Sequence, residues 1–163
     1  MPNETNINIA AYLKALNILY FALIAGLCIF VLIAIVLVSN SWMDNSMYDI
    51  KNILESMALV IAIVCLFAGI TLFNKRIAAI DPNAELSDKL NTYRAAVILR
   101  AALLDGAGIF SVMTYLLTGD MRVLAITAVV LLFFVTLRPT KAALVKALSL
   151  SSQETMMMED EKV

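Results

Sequence analysis

The sequence predicts an all-α, polytopic membrane fold with four transmembrane helices in two hairpins. Three observations carry that expectation. First, 62% of the 163 residues are hydrophobic and the mean hydropathy is +0.90; a soluble domain of this length has too little interior to hide so much apolar surface. Second, the apolar runs 16–38, 57–73, 95–117 and 121–137 each approach or exceed the roughly 17 to 25 residues that carry a helix across hydrocarbon. Third, the runs are continuously apolar rather than alternating, so they read as helices that satisfy their own backbone groups and not as barrel strands. Buried helices of a soluble bundle would carry a polar stripe at helical period, and the first, second and fourth runs carry none.

The first run follows Met1-Pro-Asn-Glu-Thr-Asn, which has no positive charge, and it is longer than the apolar region of a signal peptide. It reads as a retained span. Trp42 and Tyr48, after it, suit the outer membrane boundary, and Tyr12 and Tyr93 the inner one. Lys75, Arg76, Lys89 and Arg94 crowd the connection between the second and third runs, and Arg138, Lys141, Lys146 and Lys162 follow the fourth. The other two loops carry only Lys51 and Arg122, while the N-terminal segment adds Lys14. That bias places both termini and the middle connection in the cytoplasm, with a bacterial inner membrane as the expected location.

Within the middle connection, Asp81-Pro82 has the form of an N-cap followed by proline at the first helical position, and Leu86, Leu90, Tyr93 and Val97 then recur at helical spacing. The third helix should therefore begin before it enters lipid. After the fourth run, 141–150 reads either as an amphipathic segment along the inner headgroups, lysines turned toward phosphates, or as a continuation of the span. The domain expected is thus a bundle over 1–150, with 151–163 a disordered acidic tail.

Spans one and three align without gaps as Ala22-Leu-Ile-Ala-Gly-Leu-Cys-Ile-Phe30 against Ala102-Leu-Leu-Asp-Gly-Ala-Gly-Ile-Phe110. Thr71-Leu72 precedes Lys75-Arg76 much as Thr136-Leu137 precedes Arg138 and Lys141, so the two hairpins read as an internal duplication. The alignment sets Asp105 opposite Ala25, Arg100 opposite Tyr20, and Gly108 opposite Cys28. One copy of the unit thus manages without the acid.

Asp105 lies about 15 Å along the third run and Arg100 about half as deep. An acid near mid-span costs on the order of 2.5 to 3.5 kcal/mol on insertion scales, which makes Asp105 the first candidate for function. Arg100 is expected to snorkel to the inner interface as an anchor. Five residues place the two about 140° apart around a helix, so they should not pair directly. Asp105 shares its face with Ala101, Ala102, Gly108 and Ile109, a small-residue strip expected to meet protein rather than lipid. It could exchange a proton or cation, hydrogen-bond a neighbouring helix or subunit, or sit protonated on a local carbonyl. Asn17, Thr71, Asn74, Thr127 and Thr136 are the polar groups on the other spans.

Leu104-Asp105-Gly106-Ala107-Gly108-Ile109-Phe110, preceded by Arg94 and Arg100, resembles the acidic helix of rotary ATPase proteolipid subunits. That resemblance implies an ion-carrying role for Asp105. It covers one span of four; the family's glycine-repeat helix is absent, and the connection before Asp105 is longer than its tight polar loop. More broadly, the chain resembles uncharacterised four-span bacterial membrane proteins.

Without histidine, imidazole acid–base chemistry is excluded, and Cys28 with Cys65 cannot close a metal site. Both thiols are expected to pack as small apolar groups. There is no phosphate-cradling glycine loop and no basic stripe for nucleic acid. The sequence therefore points away from catalysis, metals, cofactors and nucleic acid. It leaves two functions: a non-enzymatic bundle that associates with itself or with other membrane subunits through the third span, or a proton- or cation-coupled transport or channel subunit. The site residues are Asp105, Gly106, Gly108 and Arg100.

Overall fold

The computed structural model describes residues 9–40, 50–81 and 84–148. Trp42, Tyr48, Pro82 and the acidic tail 151–163, on which some of the expectations above fall, lie outside them. The described chain is all-α: α1 (Ile9–Ser39), α2 (Lys51–Ala78), α3 (Leu86–Thr118), α4 (Met121–Thr136) and α5 (Lys141–Leu148). Helices α1, α2 and α3 are long and apolar enough to cross a membrane. At 16 residues, α4 is about 24 Å long, short of the ~30 Å hydrocarbon layer. It joins α5 through a 72° bend, and the pair makes a fourth candidate span when taken together.

Local chemistry sets the helix ends. At the end of α1 the Ser39 hydroxyl and the Asn40 side-chain amide both donate to the Val36 carbonyl, at 3.0 and 2.8 Å. Gly119 closes α3 in the left-handed region at φ 65°, its N–H donating to the Tyr115 carbonyl at 2.8 Å. Asp120 then caps α4, its Oδ1 accepting from the Arg122 N–H at 2.8 Å. Pro139 lacks the N–H a continuing helix would need, and Thr140 restarts the chain by accepting from the Ala143 N–H at 3.2 Å. The start of α3 differs from the expected cap at Asp81: the Asp81 carbonyl accepts from the Ala84 N–H in a separate turn, and Glu85 occupies the cap position.

Helix α3 is the centre of the bundle. It packs against α1, α2, α4 and α5, whereas α1 and α2 scarcely meet. Small residues make this possible, since Ala96, Ala101, Ala107 and Gly108 are all buried and let neighbouring backbones come close. The buried hydroxyls of Ser111 and Thr114 donate to the carbonyls four residues back, so they need no partner on another helix.

Helices α1 and α3 run parallel: the Tyr12 hydroxyl donates to the Leu90 carbonyl at 2.6 Å, and farther along Leu27 lies over Gly108. Helix α2 runs the other way, with Phe73 against Tyr93 near one end and Lys51 against Asp120 at the other. The charges separate accordingly. Lys14, Lys75, Arg76, Arg94, Arg138, Lys141 and Lys146 lie toward one end, and Lys51 and Arg122 toward the opposite end.

Two core clusters occupy these two halves. Nearer the basic end, Leu16, Tyr20, Leu90, Tyr93, Leu104 and Phe134 pack together, with the Tyr20 and Phe134 rings edge to face at 5.0 Å. Helix α5 belongs to this cluster through Leu144 and Leu148. Its apolar face is therefore closed against protein at Leu144 and Leu148, while Lys141 and Lys146 stay exposed. In the other half Leu27, Ala34, Ala58, Val112, Tyr115 and Val123 pack together.

Beyond that second cluster, Lys51 ties the start of α2 to the α3–α4 turn, its Nζ lying 2.9 Å from Asp120 Oδ2 and 3.9 Å from Glu55 Oε1. The Asp120 carboxylate is covered by these partners and not by the core. The Arg122 N–H and then Lys51 hold its pKa down to about 2 from 3.8. A carboxylate depressed in the folded state contributes stability above its unfolded pKa and loses that contribution as pH falls through the folded value. Thermal unfolding in detergent should therefore show wild-type stability declining between about pH 4 and pH 2 as this tie is lost. Asp120→Asn should start less stable at pH 7 and lack that part of the decline; an unchanged pH profile in the variant would contradict the assignment.

Candidate functional site

The structure separates the four candidate residues into three surroundings. Arg100 is buried at 8% exposure, in the half of the bundle nearer the basic end. Because side chains on a helix tilt toward its N-terminus, the guanidinium reaches back to the C-terminus of α4, where Nη2 donates to the Leu137 carbonyl at 2.5 Å. A helix C-terminus presents unpaired carbonyls and partial negative charge, so a cation there completes hydrogen bonding and opposes the dipole. The Phe73 ring lies under the guanidinium, 4.2 Å from Cζ to centroid. Gly69 brings α2 close: a Cβ added there would stand 3.4 Å from Arg100 Cγ. Tyr20 sits near enough to feel the charge, yet its hydroxyl and Arg100 Nε have no hydrogen-bond partner among the described residues. Arg100 thus points the way a snorkelling side chain would, but ends in protein. Within the bundle it caps α4.

Gly108 is a contact glycine. A Cβ there would come 2.5 Å from Leu27 Cδ2, so its missing side chain is what lets α1 settle against α3. Gly106 is the opposite case, exposed and with nothing within 4 Å of an added Cβ. The small-residue strip around Asp105 therefore does not form one face. Ala101 and Gly108 are buried inside the subunit, while Ala102 and Ile109 remain exposed.

Asp105 itself is half-buried and lines a groove of about 280 Å³ between α1 and α3, whose other walls include Ala22, Gly26, Leu27, Phe30 and Ile109. It makes no hydrogen bond or ion pair with any described residue, Arg100 included. The polar groups on the other spans do not reach it. Thr127 and Thr136 donate instead to the carbonyls of Val123 and Leu132 on their own helix. The groove leaves the carboxyl open to whatever fills it, either a hydrogen-bonding group on another helix or a proton or cation.

Sequence reasoning overlooked Ala22 and Gly26. Both are exposed, and Gly26, like Gly106, has nothing within 4 Å of an added Cβ. The signal was present in the repeat, which aligns Ala22 and Gly26 with Ala102 and Gly106. Since α1 and α3 are parallel and paired near that same offset, the two small pairs lie side by side at one level. The surroundings of Arg100 were also overlooked, because its main partner is a backbone carbonyl and carries no side-chain signature.

A second groove, of about 260 Å³, runs between α2 and α4 with Leu59, Ala62, Leu66, Val129 and Phe133 along its sides and Leu104 contributed by α3. Its lining is aliphatic and aromatic and offers no polar chemistry. Among the described residues no three carboxylate, thiol or imidazole groups come together as a metal site. Cys28 and Cys65 are both free thiols. No family model matches the chain, and no curated protein or solved structure matches it either.

The contrast between the two glycines is directly measurable. Gly108→Ala should lower stability in detergent by about 1 to 3 kcal/mol, the usual range for overpacking, and Leu27→Ala in the same chain should recover part of the loss by making room. Gly106→Ala should leave the unfolding midpoint of the isolated subunit unchanged or slightly raised, since alanine is the better helix former. Equal destabilisation by both alanines would contradict the packing described.

Proposed function

We propose that this is a non-enzymatic integral membrane protein that associates with itself or with other membrane subunits through the α1–α3 face. Ala22 and Gly26 form one rim of that face, Ala102 and Gly106 the other, and Asp105 supplies its polar point. The observation that carries the reading is the open Asp105 carboxyl in a groove lined by the unpacked Gly26, with the unpacked Gly106 next to it in sequence. A mid-span acid costs on the order of 2.5 to 3.5 kcal/mol, nothing inside the subunit offsets it, and small residues at four-residue spacing are what helix–helix contact in lipid uses. The same groove is what an ion-carrying acid would need, so the proteolipid resemblance supports proton- or cation-coupled transport as the second reading.

In this proposal the chain crosses a bacterial inner membrane four times, α4 completing its crossing with the elbow into α5, and the basic end with both termini faces the cytoplasm. A duplicated hairpin is supported by the parallel α1–α3 pair, in which Tyr12 meets Leu90 and Leu27 meets Gly108, close to the offset that aligns Ala22 with Ala102. Cysteines introduced at Asn40 and Ala79, both exposed, in a background lacking Cys28 and Cys65, should label from opposite sides of an intact membrane, with Asn40 outside. Labelling of both positions from one side would remove the topology.

The two functions separate at Asp105. For assembly, Asp105→Asn should keep the oligomer measured by sedimentation in detergent, whereas Asp105→Ala should weaken it by about 1 to 2 kcal/mol, the scale of an interhelical hydrogen bond. Gly106→Leu should disrupt the oligomer while leaving the subunit folded. For transport, Asp105→Asn and Asp105→Ala should both abolish a pH- or cation-dependent flux in proteoliposomes and leave assembly intact. A wild type that stays monomeric in detergent and bilayer alike, cross-links to no other membrane subunit in native membranes and shows no flux would remove both readings.

A further inference from the structure

The elbow between α4 and α5 joins an exposed apolar stripe to a group of exposed cations on an anchored helix. Val129, Leu132 and Val135 recur at helical spacing on α4 and are each more than half exposed, forming an apolar stripe that leads toward the basic end. Just past the stripe the chain turns by 72°, and the exposed side chains become Arg138, Lys141 and Lys146. No carboxylate occurs between Met121 and Leu148, and none of the three cations makes an ion pair among the described residues.

Nor are these cations on a loose strand. Leu144 and Leu148 fix the inner face of α5 in the core cluster, Thr140 caps its start, and Arg100 holds the last carbonyl of α4. Lys141 and Lys146 are consequently presented outward from an anchored helix. A partner that fits must be anionic at one end, apolar along the rest, and wide enough at its junction to meet both surfaces at the membrane boundary. A guanidinium gives paired hydrogen bonds to phosphate oxygens, and lysines add point charges to the same group. A phospholipid with a net negative headgroup has that form, and a soluble phosphate lacks the apolar half.

We propose that the α4–α5 elbow is a docking face for an anionic phospholipid, its headgroup held by Arg138 and Lys141, with Lys146 adding positive charge farther along α5, and its acyl chain laid along Val129, Leu132 and Val135. This rests on the chain spanning a membrane, but not on the assembly role of the α1–α3 face. The acidic segment Glu159-Asp160-Glu161 of the same chain is the competing occupant, and one arm of the test addresses it.

The test uses the full-length protein in neutral detergent, with phosphatidylglycerol and phosphatidylcholine of identical acyl chains supplied together and bound lipid read by native mass spectrometry. Wild type should retain phosphatidylglycerol preferentially, and Arg138→Gln with Lys141→Gln and Lys146→Gln should reduce that preference at least about ten-fold. Swapping the cations, as Arg138→Lys with Lys141→Arg and Lys146→Arg, should keep it. Lys75→Gln with Arg76→Gln, at the same end but off the elbow, should also keep it. Equal preference in wild type and the triple Gln variant would overturn the proposal, as would loss of preference in the Lys75 and Arg76 variant. Displacement of the lipid by glycerol phosphate at matched concentration would overturn it too, and so would a preference that emerges only after removal of 151–163. Should the triple variant aggregate, Lys141→Gln alone must still lower the preference. Wild type that resists carbonate extraction from membranes yet shows no lipid preference would end this proposal and leave the membrane reading standing.

Discussion

The bundle depends on one hydrogen bond from a charge to a carbonyl. Helix α4, about 24 Å long, is shorter than a hydrocarbon layer is thick, and the carbonyls of its last turn have no partner within the helix. Arg100 supplies the donor from α3, at the Leu137 carbonyl. A cation in that place in turn needs cover, and the surroundings follow from it: Gly69 brings α2 against the arginine stem, Phe73 puts a ring face under the guanidinium, and Tyr20 closes the side toward α1. With the end of α4 held, Pro139 can break the helix at a fixed point and α5 can return Leu144 and Leu148 to the core.

The seam between α1 and α3 obeys a different constraint. Without a hydrophobic driving force between helices in lipid, close packing must come from shape, and the fold uses its small residues in two ways. Gly108 is consumed internally by Leu27. Gly26 and Gly106, on the rims, are consumed by nothing. Glycine in the middle of an exposed helix is unfavourable relative to alanine by roughly 1 kcal/mol, so two of them facing outward beside an open carboxyl ask for an explanation outside the subunit.

Much of the architecture was legible because hydropathy is additive along the chain: each long apolar run marks a helix whatever its neighbours do, and the uneven Lys and Arg placement corresponds to the two ends of the bundle. The site was only half legible. Asp105 stands out in any reading, and the helical angle to Arg100 rightly excluded their pairing. What fails is helical phase among small residues. Ala101 and Ala102 are adjacent in sequence but point about 100° apart on the helix, and one is buried while the other is exposed, a division that depends on where α1 comes to rest. Arg100 was legible only in part: its depth and charge stand out, while its partner in the bundle is a main-chain oxygen 37 residues away that leaves no side-chain signature. The start of α3 was placed about one turn early: the helix begins at Leu86, with Glu85 rather than Asp81 in the cap position.

Leu104 and Asp105 are consecutive, and each faces a different groove, Leu104 toward α2 and α4 and Asp105 toward α1. Adjacent residues on a helix point about 100° apart, so rolling α3 about its axis by one residue would carry the acid toward the aliphatic groove and put Gly106 in its place toward α1. The guanidinium of Arg100, seated between Leu137 and Phe73, is the peg that resists this roll. It acts about 7.5 Å along the axis from Asp105. The rotational setting of α3 is thus fixed near one end of the bundle and expressed at its middle, where it decides which neighbour meets a carboxyl group.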